Sequence, residues 1–460
     1  ELKTFGTPSG GGGTDPEPGP AYTLTYETTT GGVLVKGYTY TGSDEIEITV
    51  PSTYDGKTVV GIGAHAFDPA IPNIGFSKIS KITVPSTVET IGDWAFYNCK
   101  VLETINLGET KVKTIGEHAF QYCDKLTEIE VPASATDIKD LAFTMMKGLT
   151  KITVAEENPV FSSFDGVLFK NHVLIYYPAG KDSTTYAVPE GTTEIANDAF
   201  KVVWDNKTAP LKDVTFPTTL KKVGDRAFMQ TNLEKVTISS DIAFGIYAYD
   251  GCKNLKEIVI AEGVTEIPKA LFFGAESVEK VSLPSTLKHI GDYAFDRLGY
   301  NLAKQGKTVA INFPEGLETI GEDSFVLAGI KNLTLPSTLT KLGDRAFYLS
   351  YIETLDFAPN AKIESIGPYA FNHCKQLASV KLPTSVKKLE TGAFSHCYAL
   401  KSIDLPNSIT TLEDFVFAGS ALETITLPAS TKTMGAGTFR DCTTLTSATL
   451  PSYLETLGTC

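Results

Sequence analysis

Two adjacent pairs, His373-Cys374 and His396-Cys397, stand 23 residues apart in the 460-residue chain. Two imidazoles and two thiolates are the ligand set of a tetrahedral zinc site, and one of each makes a nucleophile with its base. Six of the seven cysteines share one phase, three residues after the Phe position, which Tyr249 fills ahead of Cys252: Cys99, Cys123, Cys252, Cys374, Cys397 and Cys442. Neighbouring side chains of an extended chain point to opposite sides. If the cysteines face inward, the histidines beside them therefore face outward, and neither site can assemble.

The cysteines then read as small apolar residues stacked in a ladder. Cys99/Cys123 and Cys374/Cys397 are near enough in register for a disulfide, but parallel side-chain directions make its dihedral awkward, so free thiols are expected. Cys460 lies outside the phase and is the candidate reactive thiol. His65, His118, His172 and His289 have no evident partner, the carboxylates are scattered, and no GxxxxGK loop opens a helix. The expectation is a chain with no catalytic residue, no metal and no cofactor.

What places these residues is a repeat. In Leu382–Pro406, LPTSVKKLETGAFSHCYALKSIDLP, the interval from Pro383 to Pro406 is 23 residues, a period that marks a solenoid. An aliphatic residue five places before a Phe recurs from Ile62/Phe67 and Ile91/Phe96 to Leu412/Phe417 and Met434/Phe439, with Tyr249 in a degenerate copy. The count is about fifteen coils. Leu400-x-x-Ile403-x-Leu405 alternates as a short strand with one buried face, and Pro406 ends it by removing a backbone donor. Gly92, Gly116, Gly224, Gly291, Gly343 and Gly367 then suit a bend that needs φ > 0 or close backbone approach. The piece after Phe is open between a second brief strand and a helical turn. One coil cannot bury its apolar side alone, so the Phe, Leu and Ile columns must stack.

The expected fold is an α/β-type repeat solenoid made mainly of short parallel strands. Residues 1–20, rich in Gly and Pro, read as a tether. Residues 21–61 read as an N-terminal β cap whose hairpin turns at Gly31-Gly32, and 62–460 as the solenoid. Phe143 to Phe200 is about one coil too long, and the turn signals Asp165-Gly166 and Lys170-Asn171 place a hairpin insert at about 156–188.

The formal charge of −14 and pI near 5.0, with no basic stripe, argue against a nucleic-acid partner. No apolar run is long enough to span a bilayer. A start at Glu1 followed by a tether fits a chain whose export segment, of the kind that can carry a lipid anchor, has been removed. A chain trimmed at its start would look the same.

The repeat LPxxVxxIGxxAFxxCxxLxxIxLP, the insert NPVFSSFDGVLF…LIYYPAG and the Tyr-rich entry resemble the BspA-like leucine-rich repeat proteins over Tyr22 to Cys460. The resemblance implies a bacterial surface or secreted protein with binding and adhesion roles and no known chemistry.

Outward strand positions are mostly short and polar. From them Asn106, Glu128, Glu130, Asp356, Lys381 and Asp404 are candidate ligand contacts, joined by Trp204 and Tyr300 on two insertions in the same phase, Lys201–Pro210 and Asp296–Lys307. The expected function is a monomeric extracellular module that binds a host-matrix or neighbouring-cell protein. A glycan-binding module, in which exposed rings stack on sugars, and a structural spacer are the alternatives.

Overall fold

Three hydrogen-bonded ladders hold one turn of this chain to the next. A computed structural model describes residues 22–70, 78–201 and 210–459, which form two compact units: Glu1–Ser183 with Pro189–Pro210, and Thr184–Val188 with Leu211–Cys460. Each is a parallel-strand solenoid.

The first ladder is the Leu-x-x-Ile-x-Leu strand. Glu128–Val131 pairs in parallel with Lys151–Val154 in the first unit, and Lys235–Ile238, Glu257–Ile260 and Lys280–Ser282 pair successively in the second. The second ladder consists of two-residue strands just ahead of the glycine, such as Thr90–Ile91, Thr114–Ile115 and Asp137–Ile138. The third is the Ala-Phe turn: the Phe96 amide donates to the Ala119 carbonyl of the next turn (2.8 Å), as Phe371 does to Ala393 (2.9 Å). The piece left open by the sequence is thus a run of tight turns, and the second brief strand precedes the bend.

The glycines serve close approach only. A Cβ on Gly92 would lie 2.5 Å from the Ala64 backbone nitrogen, and one on Gly343 2.5 Å from the Gly321 carbonyl carbon, yet neither has a positive φ. Positive φ falls instead two residues before and two after the Phe, on non-glycine residues such as Trp94 (53°), Asn98 (59°), Tyr369 (52°) and His373 (58°). Left-handed backbone is costly for residues with a Cβ. Here the ladder hydrogen bonds and stacked side chains offset that cost at every turn.

Inside the ladders the aromatic rings form a column. In the first unit Phe67, Phe96, Phe120 and Phe143 stack with centroids 5.0 to 5.8 Å apart. In the second, Phe347 and Phe371 lie 5.4 Å apart at 3°, and Phe371 and Phe394 5.5 Å apart at 5°. Phe96, Phe120 and Phe371 are fully buried. Tyr38 and Tyr176 extend the first unit's column where no Ala-Phe motif exists, so turns outnumber the Phe-based count.

Five of the six described cysteines, all but the half-buried Cys442, occupy the core three residues after the ring. Each thiol donates to the carbonyl of the ring residue one turn back: Cys123 to Phe96 (3.2 Å), Cys252 to Phe228 (3.2 Å) and Cys374 to Phe347 (3.1 Å). All six described cysteines are free, and burial pushes the Cys252 thiol up to about 12. Ser350 fills the same position and donates to Phe325 at 2.6 Å. The position therefore accepts a hydroxyl as well as a thiol, and in other turns buried Ala275, Ala328 and Met146 fill it without a donor.

The entry hairpin, Tyr22–Thr29 with Gly32–Tyr40, joins the second ladder by parallel pairing to Lys57–Ile62, which pairs in turn with Thr90–Ile91. The insert is the meander Phe161–Phe164, Val167–Lys170 and Val173–Tyr176, whose last strand pairs with Glu194–Ile195. Asp165 and Gly166 both have positive φ, as a two-residue hairpin turn requires. Asn158 fastens the insert: its amide nitrogen donates to the Pro132 and Ala135 carbonyls, and its oxygen accepts from the Val160 and Phe161 amides.

Cys374→Ser should leave stability nearly unchanged, because it keeps a donor to Phe347. Cys374→Ala should lose about 1 kcal/mol. Urea unfolding followed by circular dichroism measures both.

Candidate binding surface

The outward side of the long strands carries charge in matched rows. In the first unit Lys81 meets Glu47 (3.2 Å), Lys125 sits between Glu45 (3.5 Å) and Glu103 (3.1 Å), and Lys151 is 3.9 Å from Glu128. In the second, Glu257 lies between Lys235 (2.8 Å) and Lys280 (3.2 Å), whose hydrogen bonds hold its carboxyl below the usual range. Apart from Lys125–Glu45, which spans more than one turn, each of these pairs joins neighbouring turns. Exposed ion pairs contribute little to stability, but they neutralise the surface locally. The net charge therefore does not appear as a patch along these rows.

The sequence candidates divide accordingly. Glu128 and Glu130 are exposed two residues apart along the strand, and Lys381 and Asp404 are exposed on bridged turns. Asp356 is half-buried, accepts from the Phe357 amide (2.8 Å) and pairs with Lys381 (3.5 Å). Asn106 differs from these: its side-chain oxygen accepts from the Val84 amide (2.7 Å) and its nitrogen donates to the Val84 carbonyl (3.1 Å), so its amide continues the ladder to the neighbouring turn.

Trp204 lies outside the described residues. Tyr300 begins the helix Tyr300–Lys304, the one α-helix among the described residues. The Lys304 ammonium stands 3.9 Å over its ring and the Tyr351 ring meets it at 6.1 Å and 61°. The insertion is tied down by Asn301, which donates to Glu276, and by the Gly299 amide on the Ala275 carbonyl. Beneath it Asp296 is buried, with its carboxylate 3.5 Å from the Arg297 Nε. Burial pushes Asp296 up to about 7; Asp323, Asp250 and Glu276 push the same way and Arg297 opposes them.

Two ring stacks on the rim escape a reading based on strands. His65, Trp94 and His118, each two residues before a Phe, stack at 5.2 and 5.4 Å. His373 and His396, each two residues after one, stack at 4.3 Å with the exposed Tyr398 edge-on to both. Ser395 donates its hydroxyl to the Ala418 carbonyl, so its oxygen accepts from Nδ1 of His396 (2.7 Å). Burial, then His396 and Lys375, hold the His373 imidazole below its ordinary value. The neighbouring thiols point inward to Phe347 and Phe371. Imidazoles and thiols thus lie on opposite sides of the chain.

In the second unit a cleft of about 490 Å³ opens between Asp213–Thr215 and Lys235–Ile238, lined by Phe216 and, deeper, by Phe228 and Tyr249. Farther along, a shallow polar hollow follows the glycines of the short-strand ladder, with His289 bonded to Thr319 at 2.9 Å and Asp292 accepting from the Glu322 amide. Among the described residues, no helix is long and apolar enough to cross a membrane.

The family described as BspA type leucine rich repeat region (6 copies) matches residues 47–175, 176–302, 298–397 and 364–460. No curated protein matches. A solved leucine-rich repeat protein from Bacteroides ovatus is similar at 25% identity, covering 94% of each chain, with a TM-score of 0.52. A second, from Eubacterium ventriosum, is 21% identical over 87% of this chain and 93% of that one (TM-score 0.43). A leucine rich cell surface protein from Faecalibacterium prausnitzii is 21% identical over 96% and 95% (TM-score 0.38).

Because folding raises the Asp296 pKa, its stabilising contribution is fully present below the carboxyl's ordinary value of 3.8 and is lost as pH rises through about 7. The wild-type urea midpoint should therefore fall between about pH 5 and about pH 8 more steeply than that of Asp296→Asn. Equal slopes for the two proteins would refute this.

Proposed function

This chain belongs to the BspA-type leucine-rich repeat family, and from that premise we propose that it is a non-catalytic scaffold, displayed at the cell surface or secreted, that binds another protein through the outward side of its long strands. The supporting observation is the state of its exposed side chains. Glu128, Glu130, Lys381 and Asp404 stand in the open in rows that repeat at each turn, as a broad polar contact with a folded partner requires.

The rim rings support a glycan partner less well. A sugar stacks on the face of a ring, but Trp94 lies between His65 and His118, and Tyr300 has Lys304 over its ring with Tyr351 alongside. Tyr398 is exposed yet meets its neighbours through T-shaped contacts within a crowded cluster. Trp204 stays a candidate contact on the strength of its type and phase. The partner this reading favours is a host-matrix or neighbouring-cell protein, met by a monomer.

Capture from extracellular-matrix extract and a glycan array, each run with wild type, Glu130→Lys and Trp204→Ala, test the proposal. The expected result is protein capture weakened about fivefold by Glu130→Lys, with a blank array. Glycan hits that vanish in Trp204→Ala would overturn it.

A further inference from the structure

Two strands on successive turns of the second unit do not pair with each other. Asp213–Thr215 pairs with Thr185–Ala187 and Lys235–Ile238 with Glu257–Ile260, and the sheet is broken between them. The same turns stay joined at the strand start, where the Glu234 amide donates to the Lys212 carbonyl (3.0 Å), and at the ring, where Phe228 donates to Ala248 (2.8 Å). The opening is therefore local. Val214 and Phe216 are half-buried along it, whereas their counterparts in a regular turn, Ile258 and Ile260, are buried.

The resulting slot of about 490 Å³ reaches the ring column, a size typical of pockets that hold small groups. Its walls are Phe216, Leu220, Leu233 and Val236, and Tyr249 lies at its foot. Every other ring of that column from Phe228 to Phe439 is a phenylalanine. Tyr249 is 1% exposed, and its hydroxyl bonds to no described residue. Burial raises that hydroxyl's pKa well above the ordinary value, so it stays protonated. Tyr249 belongs to the slot's lining, and a hydroxyl on an otherwise apolar wall selects a ligand that brings a hydrogen-bonding atom to it.

The mouth also has a sign. Asp213 and Asp241 line it without an ion-pair partner among the described residues, whereas Lys235 is held by Glu257 at 2.8 Å. A cationic neighbour is welcome there and a carboxylate is repelled. The mouth includes Thr215 and Thr237, outward residues of the strands proposed to bind protein.

We propose that this slot is the anchor pocket for one tyrosine side chain of the partner protein, with a basic residue beside it in the partner's sequence. The ring fills the apolar walls, the phenol oxygen meets the Tyr249 hydroxyl, and the basic residue meets Asp213 and Asp241. A phenylalanine would fill the walls but leave the hydroxyl unmet. This inference rests on the protein-binding reading and names what that partner presents.

The test is calorimetric titration of the full chain with the blocked dipeptides Ac-Arg-Tyr-NH2, Ac-Arg-Phe-NH2 and Ac-Glu-Tyr-NH2, for wild type, Tyr249→Phe and Thr237→Trp. Ac-Arg-Tyr-NH2 should bind about fivefold tighter than the Phe peptide and about threefold tighter than the Glu peptide. Tyr249→Phe keeps the ring of every neighbouring turn and should erase the Tyr-over-Phe preference. Thr237→Trp, on an exposed position, should block the mouth and abolish binding. No dipeptide binding by a folded wild type, or binding indifferent to Thr237→Trp, would overturn the pocket. Matrix capture separates the two claims: capture without dipeptide binding removes the pocket and keeps the protein-binding reading, and dipeptide binding without capture does the reverse.

Discussion

One turn of this chain cannot bury its own apolar side, so its rings, aliphatic residues and thiols are shielded only by the turns above and below. The phenylalanine column meets that constraint most visibly. Rings offset-stacked at 5.0 to 6.0 Å in the runs Phe67–Phe143 and Phe272–Phe439 match the spacing at which backbone ladders close. The bend glycine follows from the same spacing, because any Cβ at Gly92 or Gly343 would hold adjacent turns apart. Each unit is stabilised by neighbour contacts repeated along one direction.

Tight stacking raises a second demand, since every turn brings buried carbonyls with it. The ring residue's carbonyl accepts from the amide three residues on and also from a thiol or hydroxyl on the next turn, as Phe347 does from Ser350 and Cys374. Cysteine suits this place because it is small, apolar enough to be buried and able to donate weakly. On the outside, charges are matched turn to turn, which leaves rows of compensated side chains in place of a strong field. Recognition on such a surface depends on shape and on local departures from regularity. Asn106, the Tyr300 helix and the cleft above Tyr249 are departures of this kind, and each occurs where a turn loses its ladder or gains residues.

Much of the architecture was legible in the chain. The 23-residue period, the inward phase of Cys374 and Cys397 and the opposite placement of their histidines all follow from alternation and from the need to stack. The insert was legible as turn signals. The contacts that hold it were not, because Asn158 bonds Pro132 and Ala135, carbonyls more than twenty residues away in sequence. Left-handed backbone at Trp94 and Tyr369 was also hidden, since neither residue type favours it and only the inter-turn hydrogen bonds impose it. Asn106 looked like a surface amide because strand alternation gives a direction and says nothing of how far a side chain reaches along the ladder.

Periodicity is a local property repeated many times, so the sequence alone determined the repeat, the buried columns and the family resemblance. It also determined that Tyr249 breaks a run of phenylalanines. Whether that hydroxyl would find a partner, whether Asp213–Thr215 and Lys235–Ile238 would pair, and whether a rim ring would show its face or only its edge were decided by the fold. Each depends on the distance between turns at one place, and that distance is set by how all the side chains of both turns pack together.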